Sequence, residues 1–140
     1  MTVGSTSAPR PSRREREIRE QVLVVDDEHA IRRFAARVLL EAGYVVHEAA
    51  DGAEALAFIT AVGAAVDVVV SDIVMPRLNG VELVEALAST HPALPVILMT
   101  GFGAGALAER GIAAPCAVLA KPFAAERLLD EVRRCVKERL

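Results

Sequence analysis

From Gln21 onward, short apolar runs alternate with longer segments whose apolar residues recur at helical spacing, and this alternation limits the folds open to the chain. Val22–Val25, Tyr44–His47, Val66–Ser71, Val96–Thr100 and Cys116–Ala120 read as strands. Val22–Val25 is apolar throughout, as a strand buried on both faces requires. Between the runs, Ala30–Glu41 places Ile31, Phe34, Ala35 and Val38 on one side and stops at Gly43. A second helix, Ala53–Val62, follows the Asp51-Gly52 turn, and a third, Gly80–Ser89, ends before Pro92 and Pro95. A fourth is expected within Ala104–Arg110, where glycines 103, 105 and 111 weaken it, since each costs about 1 kcal/mol in a helix interior. Ala124–Leu140 closes the series with Leu128, Leu129, Val132 and Val136 on its core face. Strands and helices in strict alternation predict an α/β fold, a doubly wound parallel sheet with right-handed crossovers.

Composition agrees with such a sheet. Hydrophobic residues make up 53% of the 140 residues but aromatics only 4%, so the core is expected from Val, Leu, Ile and Ala. One folded domain is expected over residues 21–140. Met1–Ser12 is rich in Ser, Thr, Gly and Pro, and arginines 13, 14, 16 and 19 then interleave with glutamates 15, 17 and 20. Residues 1–20 therefore read as a disordered or partly helical tail or linker. A net charge of −3 provides no general attraction for nucleic acid or an anionic membrane. No apolar run is long enough to span a bilayer or resembles a secretory signal, so the expectation is a cytoplasmic protein with neither kind of partner. Cys116 lies in a strand-like run and Cys135 in an amphipathic helix; both are expected to be ordinary thiols suited to a reducing compartment.

The polar residues that end the strands carry the chemistry. Strand one runs into Asp26-Asp27, strand three into Asp72, strand four into Thr100 and strand five into Lys121. In a doubly wound sheet these C-terminal ends share one edge, where the functional crevice lies. If strand three neighbours strand one, three carboxylates crowd together and repel unless a cation joins them. Oxygen ligands with an open coordination sphere suit Mg²⁺, and Thr100 and Lys121 offer a hydroxyl and a positive charge to phosphoryl oxygens. A carboxylate can itself be the nucleophile, forming an aspartyl phosphate. His29, His47 and His91 suggest no ligand set.

Leu23-Val24-Val25 leading into Asp26-Asp27-Glu28, Val70-Ser71-Asp72-Ile73-Val74-Met75-Pro76, Asn79-Gly80, Met99-Thr100-Gly101 and Lys121-Pro122-Phe123 resemble, in order, the motifs of the response regulator receiver family. The resemblance covers roughly residues 21 to 139. It implies a flavodoxin-like sheet of order 2-1-3-4-5, with Asp72 accepting a phosphoryl group from a sensor histidine kinase or phosphotransfer protein. Asp27 and Asp72 would bind Mg²⁺ directly, Asp26 through water, and the backbone carbonyl of Val74 would complete the protein ligands. Thr100 would bind the phosphate, Lys121 would pair with it, and the Lys121–Pro122 bond would be cis. A downstream protein would dock on the fourth helix, fifth strand and last helix. The receiver would promote its own phosphorylation and hydrolysis without being a conventional enzyme.

Three positions depart from the family pattern. Val118 stands where many receivers carry an aromatic toggle, so switching is expected to rely instead on ordering the segment Gly101 to Gly111. Val74 and Phe102 are apolar where relatives often carry polar groups, which predicts poor orientation of attacking water and a phosphoryl lifetime of minutes or more. The rival readings are a degenerate receiver acting as a binding module and an aspartate-nucleophile phosphatase. Adjacent rather than alternate aspartates after strand one, and no length for a cap, argue against the phosphatase.

Overall fold

The computed structural model describes residues 20–62, 65–101 and 115–138. The sheet contains β1 (Gln21–Val25), β2 (Val45–Ala49), β3 (Val68–Asp72), β4 (Val96–Thr100) and β5 (Ala117–Ala120). Its order is β2-β1-β3-β4-β5, and every neighbouring pair is parallel. The helices among the described residues are α1 (His29–Glu41), α2 (Gly52–Val62), α3 (Gly80–Thr90) and α4 (Ala125–Glu138). The helix expected at 104–110 and the N-terminal tail up to residue 19 lie outside the described residues.

The apolar strands explain the layering. Val22, Val24, Val68, Val70, Ile97 and Met99 pack on one side with Leu39 of α1 and Leu128 and Val132 of α4. Leu23, Val25, Val69 and Leu98 pack on the other with Ile59 of α2 and Leu83 and Leu87 of α3. All five residues of β3 and of β4 are buried, so these strands could not sit at a solvent-facing position. α3 starts where Asn79 accepts from the Glu82 N–H and Glu82 accepts from the Asn79 N–H, a reciprocal cap visible in Asn-x-x-Glu.

Three strands begin later than the sequence suggested: β2 at Val45, β3 at Val68 and β5 at Ala117. Tyr44 donates its N–H to Leu39 O, closing α1 rather than joining a ladder. Asp67 pairs with Gln21 just ahead of β3, its N–H donating to Gln21 O at 2.8 Å and its side chain accepting from the Gln21 N–H at 2.7 Å. Phe34, expected on the core side of its helix, is 46% exposed and lies against Phe123 instead, with ring centroids 6.0 Å apart. The core face of α1 is shifted round to Ala35, Ala36 and Leu39.

The cysteines require a correction. Cys116 and Cys135 are joined as a disulfide, with Cα atoms 6.0 Å apart, rather than standing as two thiols. The geometry follows from element lengths: Cys116 and the four residues of β5 advance about 16 Å, and the ten steps of α4 from Ala125 bring the chain back about 15 Å. Cys135 thus returns over the start of β5, and the disulfide removes the free thiols that pointed to a reducing compartment. Closing a loop of this size stabilises by about 3 kcal/mol on the chain-entropy estimate. Reductant is therefore expected to lower the urea midpoint of the wild type and to leave that of Cys116→Ala/Cys135→Ala unchanged. Equal midpoints with and without reductant in the wild type would contradict the bond's structural role.

Candidate functional site

Backbone hydrogen bonds beyond the strand ends bring the polar residues to one edge of the sheet. Asp26 N–H donates to Ala49 O at 3.2 Å, Ile73 N–H to Met99 O at 3.2 Å, and Lys121 N–H to Thr100 O at 2.8 Å. The ladder therefore continues just far enough to align Asp26, Asp72, Thr100 and Lys121. The Lys121–Pro122 bond is cis.

Asp26, Asp27 and Asp72 each offer a carboxylate oxygen, and these oxygens lie within 4.8 Å of one another. Asp26 and Asp72 are buried and Asp27 is exposed, so the cluster is deep on one side and open on the other. Lys121 Nζ sits 3.1 Å from Asp26 Oδ2 and 3.2 Å from Asp72 Oδ1, with Glu28 Oε1 at 3.8 Å. Asp26 Oδ1 accepts from the Glu28 N–H at 2.9 Å, and Asp72 Oδ1 accepts from the Ile73 N–H at 2.9 Å. Arg32 stands behind the cluster, donating to the Asp26 carbonyl at 2.8 Å and to Glu48 at 3.0 Å. His29 touches Arg32 from the surface at the start of α1. Thr100 is buried at the end of β4, and the side chain of Val74 is exposed in the loop after β3.

Burial raises the proton affinity of the Asp72 carboxyl, and the charge of Asp26 adds to that, against the opposing pull of Lys121. For Lys121, burial disfavours the charge, but the hydrogen bonds and charges of Asp26 and Asp72 outweigh it and raise its pKa. Three carboxylates within 4.8 Å of one another thus face a single ammonium in direct contact, Lys121, which Glu28 also shares, and burying Asp26 and Asp72 adds a desolvation cost. An all-oxygen cluster short of positive charge fits a hard divalent cation.

The sequence did not reveal the support beneath this cluster. Gly80 N–H donates to Ile73 O at 2.8 Å, and a Cβ on Gly80 would come 2.3 Å from Asp72 O. Gly80, read from the sequence as a helix start, is thus also the only side-chain size that lets α3 approach the residue at the end of β3. Asp51, read as a turn residue, is buried and pairs with Arg77. Nothing in the spacing of positions 51 and 77 announces that pair. Val118 is partly buried in β5; most of the segment expected to order on switching, Gly101 to Gly111, lies outside the described residues.

Residues 22–133 match the family model of the response regulator receiver domain. Over 118 residues, 84% of this chain, it is 41% identical to the sensor kinase CckA of Brucella abortus, of which the match covers 12%. Over the same share it is 39% identical to the response regulator MprA of a Mycobacterium species, covering 50% of that protein. The chain thus spans half or less of the length of these curated relatives. Among solved structures it resembles the chemotaxis protein CheY4 of Vibrio cholerae, with a TM-score of 0.75 and 35% identity over 84% of this chain and 98% of the other. A receiver domain protein from Clostridium thermocellum gives a TM-score of 0.76 at 29% identity, covering 85% and 95%.

Two outcomes test the geometry. Gly80→Ala is expected to destabilise by about 1–3 kcal/mol, because the clash is with backbone; urea unfolding measures it, and an unchanged midpoint would refute the contact. The Asp51 carboxyl is held below the ordinary carboxylate range by the Glu54 N–H and then by Arg77. A lowered carboxyl contributes stability that is complete above its unfolded-state pKa and is lost as pH falls through its folded one. The stability advantage of wild type over Asp51→Asn should therefore shrink as pH falls below about 4. A difference constant through that range would count against the assignment.

Proposed function

Since this chain belongs to the response regulator receiver family, we propose that Asp72 is the acceptor of a phosphoryl group and that Asp26, Asp27 and Asp72, with the backbone carbonyl of Val74, hold Mg²⁺. Receiver domains of two-component systems are in general phosphoacceptors rather than conventional enzymes, and they work with histidine kinases and downstream effectors. The observation that carries the proposal is the placement of Lys121 between Asp26 and Asp72, beside an open carboxylate cluster at the strand ends.

The chemistry asks little covalent work of the protein. An oxygen of Asp72 attacks phosphorus, the P–N bond to the donor histidine breaks, and its electron pair returns to the imidazole ring. When bound, Mg²⁺ would neutralise charge on the phosphoryl oxygens. Lys121 binds one of those oxygens and holds the Asp72 carboxylate in place through its hydrogen bond. Thr100 supplies a hydroxyl from the adjoining strand end. Burial of Asp72 keeps bulk water from the acyl phosphate, and the exposed, apolar Val74 has no group to orient a hydrolytic water. The same residues would promote both phosphorylation and its slow reversal.

We place the donor as a sensor histidine kinase or phosphotransfer protein in the cytoplasm, and residues 1–20 as a tail or linker outside the domain. The effector is proposed to dock on β5, α4 and the helix expected at 104–110, the last of which lies outside the described residues. No helix among the described residues is long and apolar enough to cross a membrane.

Incubation with phosphoramidate and Mg²⁺, followed by intact mass measurement, is expected to add one phosphoryl group to the wild type and none to Asp72→Ala. After removal of the donor, the added mass should persist for minutes or more, a lifetime governed by positioning of water. Addition to Asp72→Ala at the wild-type rate would move the acceptor elsewhere, and loss within seconds would refute the account of Val74.

A further inference from the structure

Arg77 has a left-handed backbone, φ 67°, in the loop between β3 and α3, although it is not glycine. That conformation costs an L-residue about 1–2 kcal/mol, so something must hold it. The partner is Asp51, from the loop between β2 and α2. The Asp51 side chain is 2% exposed and that of Arg77 71%, so a surface guanidinium reaches in over a buried carboxylate. Asp51 Oδ1 also accepts from the Glu54 N–H at 2.8 Å, capping α2. The cap alone would be served as well by Ser or Asn; only pairing with Arg77 requires the charge.

The contact is wider than one ion pair. Gly52 N–H donates to Leu78 O at 3.0 Å, and a Cβ on Gly52 would come 2.1 Å from that oxygen. The loop leaving Asp72 is thus closed at its far end by the Gly80–Ile73 bond and pressed at Arg77 and Leu78 against the Asp51-Gly52 turn. Val74 lies between these fastenings. A strained residue held by a buried charge, in the loop that leaves the acceptor strand, is the kind of feature that preorganises a site.

Resting on the proposed reading of the site, we infer that Asp51 is a positioning residue: by its pairing with Arg77 it fixes the β3–α3 loop that carries Val74 and so preorganises the acid cluster for a divalent cation. Asp51 lies outside the acid cluster and acts through Arg77, while the Gly52–Leu78 bond pins the same loop.

The test is Mg²⁺ affinity by titration calorimetry, beside melting temperature, for wild type, Asp51→Asn, Arg77→Gly and Arg77→Lys. Asn keeps the α2 cap, and Gly adopts positive φ freely, so neither change need unfold the chain. Mg²⁺ binding is expected to weaken about tenfold in Asp51→Asn and Arg77→Gly, the scale of a lost outer-shell contact, and to recover in large part in Arg77→Lys. Unchanged affinity in both, with lowered melting temperatures, would make the pair merely structural and overturn the inference. A wild type that binds no Mg²⁺ would overturn the underlying reading of the site, a failure distinguishable because it needs no variant.

Discussion

Three carboxylates brought to one edge of a sheet repel one another, and Lys121, reaching Asp26 and Asp72 at once, is what lets them stay there. Much of the fold can be understood as the frame for that contact. Asp26 follows β1, Asp72 ends the neighbouring β3, and Lys121 follows β5 on the other side of β4. The lysine must therefore cross over β4 at Thr100, where its own N–H donates to Thr100 O. Burial makes the balance close: it raises the Asp72 carboxyl and opposes the Lys121 charge.

The strands can supply such a frame because β1, β3 and β4 are apolar on both faces and closed in by helices. Their ends have little freedom, and the loops beyond them inherit that rigidity. Gly80 and Gly52 extend it, each lying where a methyl group would strike a backbone carbonyl of the acceptor strand or its loop. The acid cluster is thus held by backbone contacts, with side-chain pairing adjusting its charge.

The sheet and the site edge were legible in the sequence for one physical reason: strands buried on both faces lose their period-2 pattern and stand out as continuous apolar runs. Their polar last residues then mark a single edge. The reciprocal cap of α3 is equally local, between Asn79 and Glu82, but only the helix start at Gly80 was read from the sequence. Phe34 was misjudged because periodicity locates a helix face only to within a residue or so, and a ring at its border can turn to Phe123. The Cys116–Cys135 bond and the Asp51–Arg77 pair are contacts between separate elements. The first could have been found by comparing strand and helix lengths; the second depends on how two loops lean together, which no spacing encodes.

The central claim is that this cluster is held at a cost in stability that a divalent cation relieves. The most direct measurement is the melting temperature of wild type and Asp27→Ala, in Mg²⁺ and in NaCl of matched ionic strength. A cation binding only the folded state at about 100 times its dissociation constant adds about 2.7 kcal/mol. The account predicts a clear rise with Mg²⁺ for wild type over NaCl, and for Asp27→Ala a higher starting point and little further rise. Equal responses to Mg²⁺ in both proteins, or none in the wild type, would contradict it.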